Sequence, residues 1–336
     1  MDTKDLERFR STLQNHRDTL LEWLDSDLPH KEKHLAGCPD DDVKQLISEL
    51  KNALENVESG EFGKCQECDG EVETDRLTAD FTQCLCLDHY SKEQLRNLES
   101  ELELVSQVQK DLLPCKVPRL QGIEMAARTE SAGIVGGDYY DFYNCQSGAQ
   151  GLVIADVMNK GLPASMLMSN LQAALRILGP QVKGIELLAG RLNGFFLHNL
   201  NLIRFISLFL AAVDVKSQTL KYSNAGHHPP LWWQAGAETF EWLCPTGPAL
   251  GLTHDPRYTS ESVKFNSGDI FVFYTDGLVE AQNQNGQTFD EKRLAVYVRN
   301  HPHQAADDLL NGIFETAKDL AGKFHDDVTL VVLKVQ

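Results

Sequence analysis

Four aspartates border apolar runs in this chain, and their chemistry sets the first expectation. Asp138 follows Gly136-Gly137, two residues that let a backbone bend tightly and approach a ligand closely. Asp156 ends the run Leu152-Val153-Ile154-Ala155, Asp276 follows Ile270 to Thr275, and Asp326-Asp327 precedes Val328 to Val335. Any one of them can be a turn former, and Asp276-Gly277 is a common hairpin signal. A chance scatter of surface acids falls mainly on polar faces, not repeatedly at strand ends. Carboxylates converging on one cleft repel one another unless cations neutralise them. Oxygen-only ligands select Mg²⁺ or Mn²⁺ over zinc or copper. Two such ions lower the pKa of a shared water and hold the oxygens of a phosphate in line for attack, so no serine, cysteine or histidine nucleophile is needed.

A second constellation is soft. Cys65-Gln66-Glu67-Cys68 and Cys86-Leu87-Asp88-His89 are two knuckles separated by residues 69–85. Each brings two ligands to one tight turn, and together they can close a tetrahedral site for Zn²⁺. Cys84 is a fifth candidate, as a replacement ligand or a redox-active neighbour. His227, in Gly226-His227-His228-Pro229, can donate a proton to a leaving hydroxyl, but a structural hydrogen-bonding role is the preferred reading. Trp232 and Trp233 read as core or sheet-edge residues.

The elements that position these groups follow from periodicity. Leu6 to Leu24 and Val43 to Val57 repeat at helical spacing around a broken, polar segment 26–42, which predicts a helical hairpin. Ser91 to Leu113 carries Leu95, Leu98, Leu102, Val105 and Leu112 in a narrow seam that skips a place at Gln109. Such a seam can pair with its copy in a homodimer or lie against its own domain. Pro114 and Pro118 end it. Beyond Leu120, short apolar runs read as strands at Ile123–Ala127, Gly151–Ile154, Phe205–Val213, Leu220–Ser223, Asp269–Tyr274 and Val328–Val335. Helical patterns occupy Pro163–Leu178, Gly184–Leu200 and Gln304–Ala321. Strands and helices that do not alternate one for one predict α+β layers. With 336 residues and roughly 100–200 residues per domain, two domains are expected, the larger with a sizeable core. A net charge of −18 argues against binding nucleic acid or an anionic membrane. Neither a leader-like start nor a long apolar run is visible, and eight cysteines with four between Cys65 and Cys86 fit a reducing compartment. The reading is cytoplasmic.

Two resemblances stand on quoted residues. Ala53 to Cys65, with Arg76-Leu77 between the knuckles, looks like the DksA/TraR zinc-finger family, whose helical hairpin precedes a four-cysteine finger. Here His89 takes the place of the last cysteine. Members of DksA type act on RNA polymerase through an acidic hairpin tip, for which Asp25, Asp27 and Asp40-Asp41-Asp42 are no clean match. The ordered stretches Gly136–Phe142, Ile154–Ala164, Asn224–Pro230, Thr246-Gly247 with Leu250-Gly251, Tyr274–Ala281 and Asp326–Leu330, after Gln107–Pro114, resemble PPM-type serine/threonine phosphatases of the RsbU/SpoIIE branch.

That resemblance implies an αββα sandwich with a dinuclear Mn²⁺/Mg²⁺ centre. Asp138 and Asp156 would hold the first and bridging positions, the Val157 carbonyl would add an oxygen, and Asp276 and Asp326 would complete the second metal. Asp327 is the fallback for Asp326, and Asp141 takes a supporting role. Asn159 stands where the branch usually has glycine. The expected division is 1–90, helical hairpin and zinc finger; 91–113, regulatory linker helix; 114–336, phosphatase. The implied substrate is a phosphoserine or phosphothreonine protein, by analogy a STAS-type anti-anti-sigma protein in partner switching. The N-terminal module would be the sensing input under an upstream regulatory protein. The alternative is a zinc-finger regulator that binds RNA polymerase and keeps the phosphatase fold as an interaction module.

Overall fold

The computed structural model describes residues 3–25, 40–79, 81–89, 92–158, 161–199, 205–253 and 256–336. They form two units, Met1–Glu101 and Leu102–Gln336.

In the first unit the periodic leucines make α1 (Thr3–Asp25) and α2 (Asp40–Ser59). The two pack through Leu13 against Leu50, Ala53, Leu54 and Val57. Phe62, whose ring lies 5.3 Å from that of Phe9, extends this core to Cys65, Val72, Leu77 and Cys86. The short α3 (Thr74–Ala79) and a single 3₁₀ turn at Leu87–His89 complete it. Asp27 lies outside the described residues, as does most of the predicted polar connection. The seam helix is α4 (Lys92–Leu112), and its last turns belong to the second unit.

That unit is a four-layer sandwich. Sheet one runs β1–β10–β9–β6–β7 and sheet two runs β2–β3–β4–β5–β8, all neighbours antiparallel. Sheet one comprises β1 (Ile123–Glu130), β6 (Leu231–Gln234), β7 (Thr239–Trp242), β9 (Ile270–Tyr274) and β10 (Val328–Val335). Sheet two comprises β2 (Tyr139–Asn144), β3 (Gln150–Val157), β4 (Ile206–Asp214), β5 (Thr219–Ala225) and β8 (Glu261–Lys264). Leu152, Ile154, Phe209, Phe271, Phe273 and Val331 fill the space between the sheets. On the outer face of sheet two lie α5 (Leu162–Leu178) and α6 (Ile185–Asn199), packed on Val153, Ala155, Leu208 and Leu210. On that of sheet one, past the one-turn α7 (Asp276–Val279), lie α8 (Asp290–Asn300) and α9 (Ala306–Ala321), packed on Val272, Leu330 and Val332. Central strands buried on both faces are continuously apolar, so their runs were visible without alternation.

Candidate functional site

The register builds the site. Tyr139 pairs with Ala155, so one step beyond the end of β2 the ladder sets Asp138 opposite Asp156. Asp138 immediately precedes β2, and Asp156 is the penultimate residue of β3. Asp276 follows β9 and Asp326 precedes β10, neighbouring strands of sheet one. A Cβ placed on Gly277 would strike the Asp327 carbonyl and stand 3.2 Å from the Asp326 Cβ, so the loops carrying Asp276 and Asp326 touch and only glycine fits between them. Each sheet thus carries one carboxylate pair, Asp138 with Asp156 on sheet two and Asp276 with Asp326 on sheet one, and among the described residues the four do not gather within 4.8 Å of one another as the Cys/His cluster does.

Asp138 ties the sheets together. It is buried, and its Oδ2 accepts hydrogen bonds from Thr275 Oγ1 and Thr329 Oγ1, each at 2.7 Å. Burial, then the Asp156 charge, push its carboxyl well above the ordinary range; the two threonine hydroxyls oppose this and Asp327 adds to it. A buried carboxylate facing further carboxylates is a donor set that fits hard divalent cations, which remove that repulsion. Val157 pairs with Ile206, whose N–H and C=O are both turned to Leu250, at 3.0 and 2.9 Å. In an antiparallel ladder that pairing directs the Val157 carbonyl away from β4, toward the Gly137–Asp138 side.

The remaining acids are committed otherwise. Asp327 Oδ1 accepts from the Ala132 amide at 2.8 Å and its Oδ2 from the Gly137 amide at 2.7 Å, so this side chain shapes the loop before Asp138. Asp141 is buried within β2. Its Oδ2 meets Arg176 Nε at 2.7 Å and Tyr139 Oη at 2.7 Å, and its Oδ1 accepts from the Phe142 amide at 2.7 Å and from Arg176 at 3.0 Å. His227 is buried too. Its Nε2 donates to the Tyr274 carbonyl at 3.1 Å, which leaves Nδ1 to accept from Ser207 Oγ at 2.8 Å. It thereby cross-links β4 of sheet two to β9 of sheet one, and burial, with His228 beside it, lowers its pKa to about 3. The neighbouring His228 gathers with Asp276 and Glu280, their ligand atoms within 4.8 Å of one another. Asn159 lies outside the described residues. Sequence reasoning assigned no role to Thr275 or Thr329, because threonine is an ordinary strand residue; their signal was membership of the stretches Tyr274–Ala281 and Asp326–Leu330.

In the first unit Cys65, Cys68, Cys86 and His89 converge, with all ligand atoms within 4.8 Å. Cys65 Sγ lies 3.7 Å from His89 Nδ1, Cys86 Sγ 3.1 Å from the same nitrogen, and Cys68 Sγ 3.9 Å from Cys86 Sγ. These separations fit four donors around one tetrahedral ion. The Cys86 backbone N–H holds the Cys65 thiol below its ordinary pKa, whereas burial raises that of Cys86. Cys84 stands outside this group.

A family model described as Stage II sporulation protein E (SpoIIE) matches residues 146–336. The chain belongs to the SpoIIE family. Among SpoIIE-type relatives, phosphoserine phosphatase RsbU of Bacillus subtilis is 29% identical over 240 residues, covering 71% of each chain. The fold of the second unit is that of the SiaA-PP2C domain of Pseudomonas aeruginosa, with a TM-score of 0.63 at 19% identity over 72% of this chain and 98% of that one. Ahead of the SpoIIE match, the chain is similar to the RNA polymerase-binding transcription factor DksA of Escherichia coli K12, 27% identical over 114 residues, 29% of this chain and 76% of DksA. A SpoIIE phosphatase unit thus follows a DksA-like segment that carries the Cys/His cluster. No helix among the described residues is long and apolar enough to cross a membrane.

Proposed function

We propose that this protein is a metal-dependent serine/threonine phosphoprotein phosphatase. The observation that carries the reading is the buried Asp138, opposite Asp156 on sheet two and bonded to Thr275 and Thr329 beside Asp276 and Asp326 on sheet one, in a chain of the SpoIIE family. In this reading Asp138, Asp156, the Val157 carbonyl, Asp276 and Asp326 hold Mn²⁺ or Mg²⁺. Two such ions, when bound, supply an activated water and charge stabilisation for the phosphate. The protein's own part is preorganisation. Thr275 and Thr329 fix Asp138, Asp327 fixes the loop before it, and His227 fixes the separation of the sheets beneath the site. Because these contacts are in place before substrate arrives, little reorganisation accompanies reaction. Replacing Asp276 by asparagine is expected to abolish Mn²⁺-dependent release of phosphate from a phosphoserine protein; undiminished release sinks the assignment.

The finer reading has residues 114–336 as the phosphatase, 91–113 as its regulatory linker and 1–90 as the sensing input, with Zn²⁺ on Cys65, Cys68, Cys86 and His89. The substrate is a phosphorylated STAS-type anti-anti-sigma protein in a partner-switching circuit, in the cytoplasm. An upstream protein acts on the N-terminal module, and the linker helix pairs with its copy in a homodimer. The phosphoserine phosphatase relative supports the substrate class, and the Cys/His geometry supports zinc. Full-length protein compared with residues 91–336, on a panel of phosphorylated STAS proteins, tests both; equal turnover under every condition removes the sensing role. The similarity to DksA favours a second reading for the first unit, binding to RNA polymerase. A pull-down with polymerase that needs residues 1–90 supports it, and an empty one removes it.

A further inference from the structure

The seam of α4 skips one place, at Gln109, and that residue has no role in the function proposed above. The end of α4 is fastened to the second unit. Leu113, just past it, packs against both the core between the sheets and the core outside sheet two, and Gln172 Nε2 of α5 reaches the Leu112 carbonyl at 3.5 Å. From this anchored turn the Gln109 side chain meets the main chain of Gly136. Its Nε2 donates to the Gly136 carbonyl at 2.6 Å, and its Oε1 accepts from the Gly136 amide at 3.0 Å. One side-chain amide thus pairs with one residue's backbone as an adjacent strand would.

The same peptide is held at its other end. The Gly137 N–H, which shares a peptide plane with the Gly136 carbonyl, donates to Asp327 Oδ2 at 2.7 Å. Its oxygen is therefore fixed from α4 and its N–H from the loop before β10. Two adjacent glycines make that fixing necessary, since without side chains the backbone turns among φ/ψ basins at little steric cost. Asp138 is the next residue.

The geometry points to Gln109 as a positioning residue for the metal centre: it locks the Gly136–Gly137 peptide so that Asp138 presents its carboxylate opposite Asp156. This rests on the reading of Asp138 as a metal ligand. Gln109 touches neither substrate nor ion, and it acts through the peptide. Losing it leaves every ligand present but the Asp138 backbone unconstrained on one side. The cost then falls on metal affinity and not on the chemical step.

The test uses the full-length chain with Gln109→Ala, Gln109→Glu and, in parallel, Asp138→Asn. p-Nitrophenyl phosphate hydrolysis is followed over a Mn²⁺ titration, beside calorimetric Mn²⁺ binding and thermal unfolding. The Gln109→Glu variant keeps an acceptor for the Gly136 amide but has no donor for the Gly136 carbonyl, and it carries the test if the alanine variant does not fold. The half-saturating Mn²⁺ concentration is expected to rise roughly tenfold or more in both variants, in line with loss of one or two well-placed hydrogen bonds. kcat is expected to recover at saturating Mn²⁺. A merely structural role lowers the melting temperature and leaves the Mn²⁺ dependence alone. Wild-type Mn²⁺ dependence in both Gln109 variants, with Asp138→Asn inactive, overturns the inference. Mn²⁺-dependent turnover by Asp138→Asn overturns instead the ligand reading on which it rests.

Discussion

Replacing Gly136 with alanine probes how tightly the approach to Asp138 is built. A Cβ at this position would lie 2.7 Å from Asp327 Oδ2, 2.8 Å from Ser131 Oγ and 2.9 Å from Asp327 Cγ. Comfortable carbon contacts begin at about 3.5 Å, so something must move by roughly 0.5–0.8 Å. Ser131 can rotate away. Asp327 cannot, because its oxygens hold the amides of Ala132 and Gly137. The displacement therefore passes into the segment leading to Asp138, where a catalytic constellation tolerates about 0.5 Å. A loss of roughly ten- to a hundredfold in kcat/KM is expected, about 1.4–2.7 kcal/mol of barrier. Overpacking adds a stability loss of about 1–3 kcal/mol. Mn²⁺-dependent hydrolysis of p-nitrophenyl phosphate and urea unfolding measure the two. Gly194→Ala in α6 is the control: its Cβ meets nothing within 4 Å, so wild-type activity is expected, with a gain of up to about 1 kcal/mol in stability. Wild-type kcat/KM in Gly136→Ala refutes the argument that Asp327 is immobile and that Asp138 depends on it.

Two further outcomes follow from other parts of the molecule. His227 has its pKa lowered from 6.5 to about 3, so below pH 6.5 the unfolded chain takes up a proton that the folded chain refuses. Its contribution is whole above pH 6.5 and is lost as pH falls toward 3, at up to about 1.4 kcal/mol per pH unit. Urea unfolding of wild type and His227→Gln between about pH 7 and 5 is expected to show a steeper acid loss in the wild type; parallel curves count against burial of a neutral imidazole. For the Cys/His cluster, elemental analysis of the full chain is expected to find Zn²⁺ that Cys65→Ser loses. Chelation is expected to speed amide exchange around Phe62, Val72 and Leu77, which pack on Cys65 and Cys86. Unchanged exchange after complete removal assigns the finger's stability to its apolar core alone.

The sequence made the central layers legible and hid the edges. Val328–Val335 was visible to the residue because β10 lies between two strands and is buried on both faces. β2 was not read as a strand, since Asp141 interrupts it; Arg176, far away in the chain, and Tyr139, two residues before, satisfy that carboxylate only in three dimensions. β7 and β8 are short edge strands with mixed exposure, and α8 opens on Asp290-Glu291-Lys292-Arg293, too polar to show a stripe. At the site, no single aspartate stood out, since each can be a turn former, but their repetition at the borders of four apolar runs did. Gln109 registered as a missing apolar residue in the seam and as a member of the stretch Gln107–Pro114, with no role attached. Its partner is a backbone group, and no residue type records where a carbonyl points.

The clasp on Asp138 has a consequence for how the centre loads. Thr329 gives its hydroxyl hydrogen to Asp138, so Thr129, whose Oγ1 lies 2.8 Å from that of Thr329, donates in turn, and the Thr329 amide feeds Thr275 Oγ1 at 2.9 Å. The hydroxyl hydrogens of Thr275 and Thr329 both point at Oδ2, whose two acceptor sites are then filled. Whatever else Asp138 carries must sit on Oδ1. In the proposed centre a divalent cation would therefore approach Asp138 from one side only, with the threonine hydroxyls held against the other.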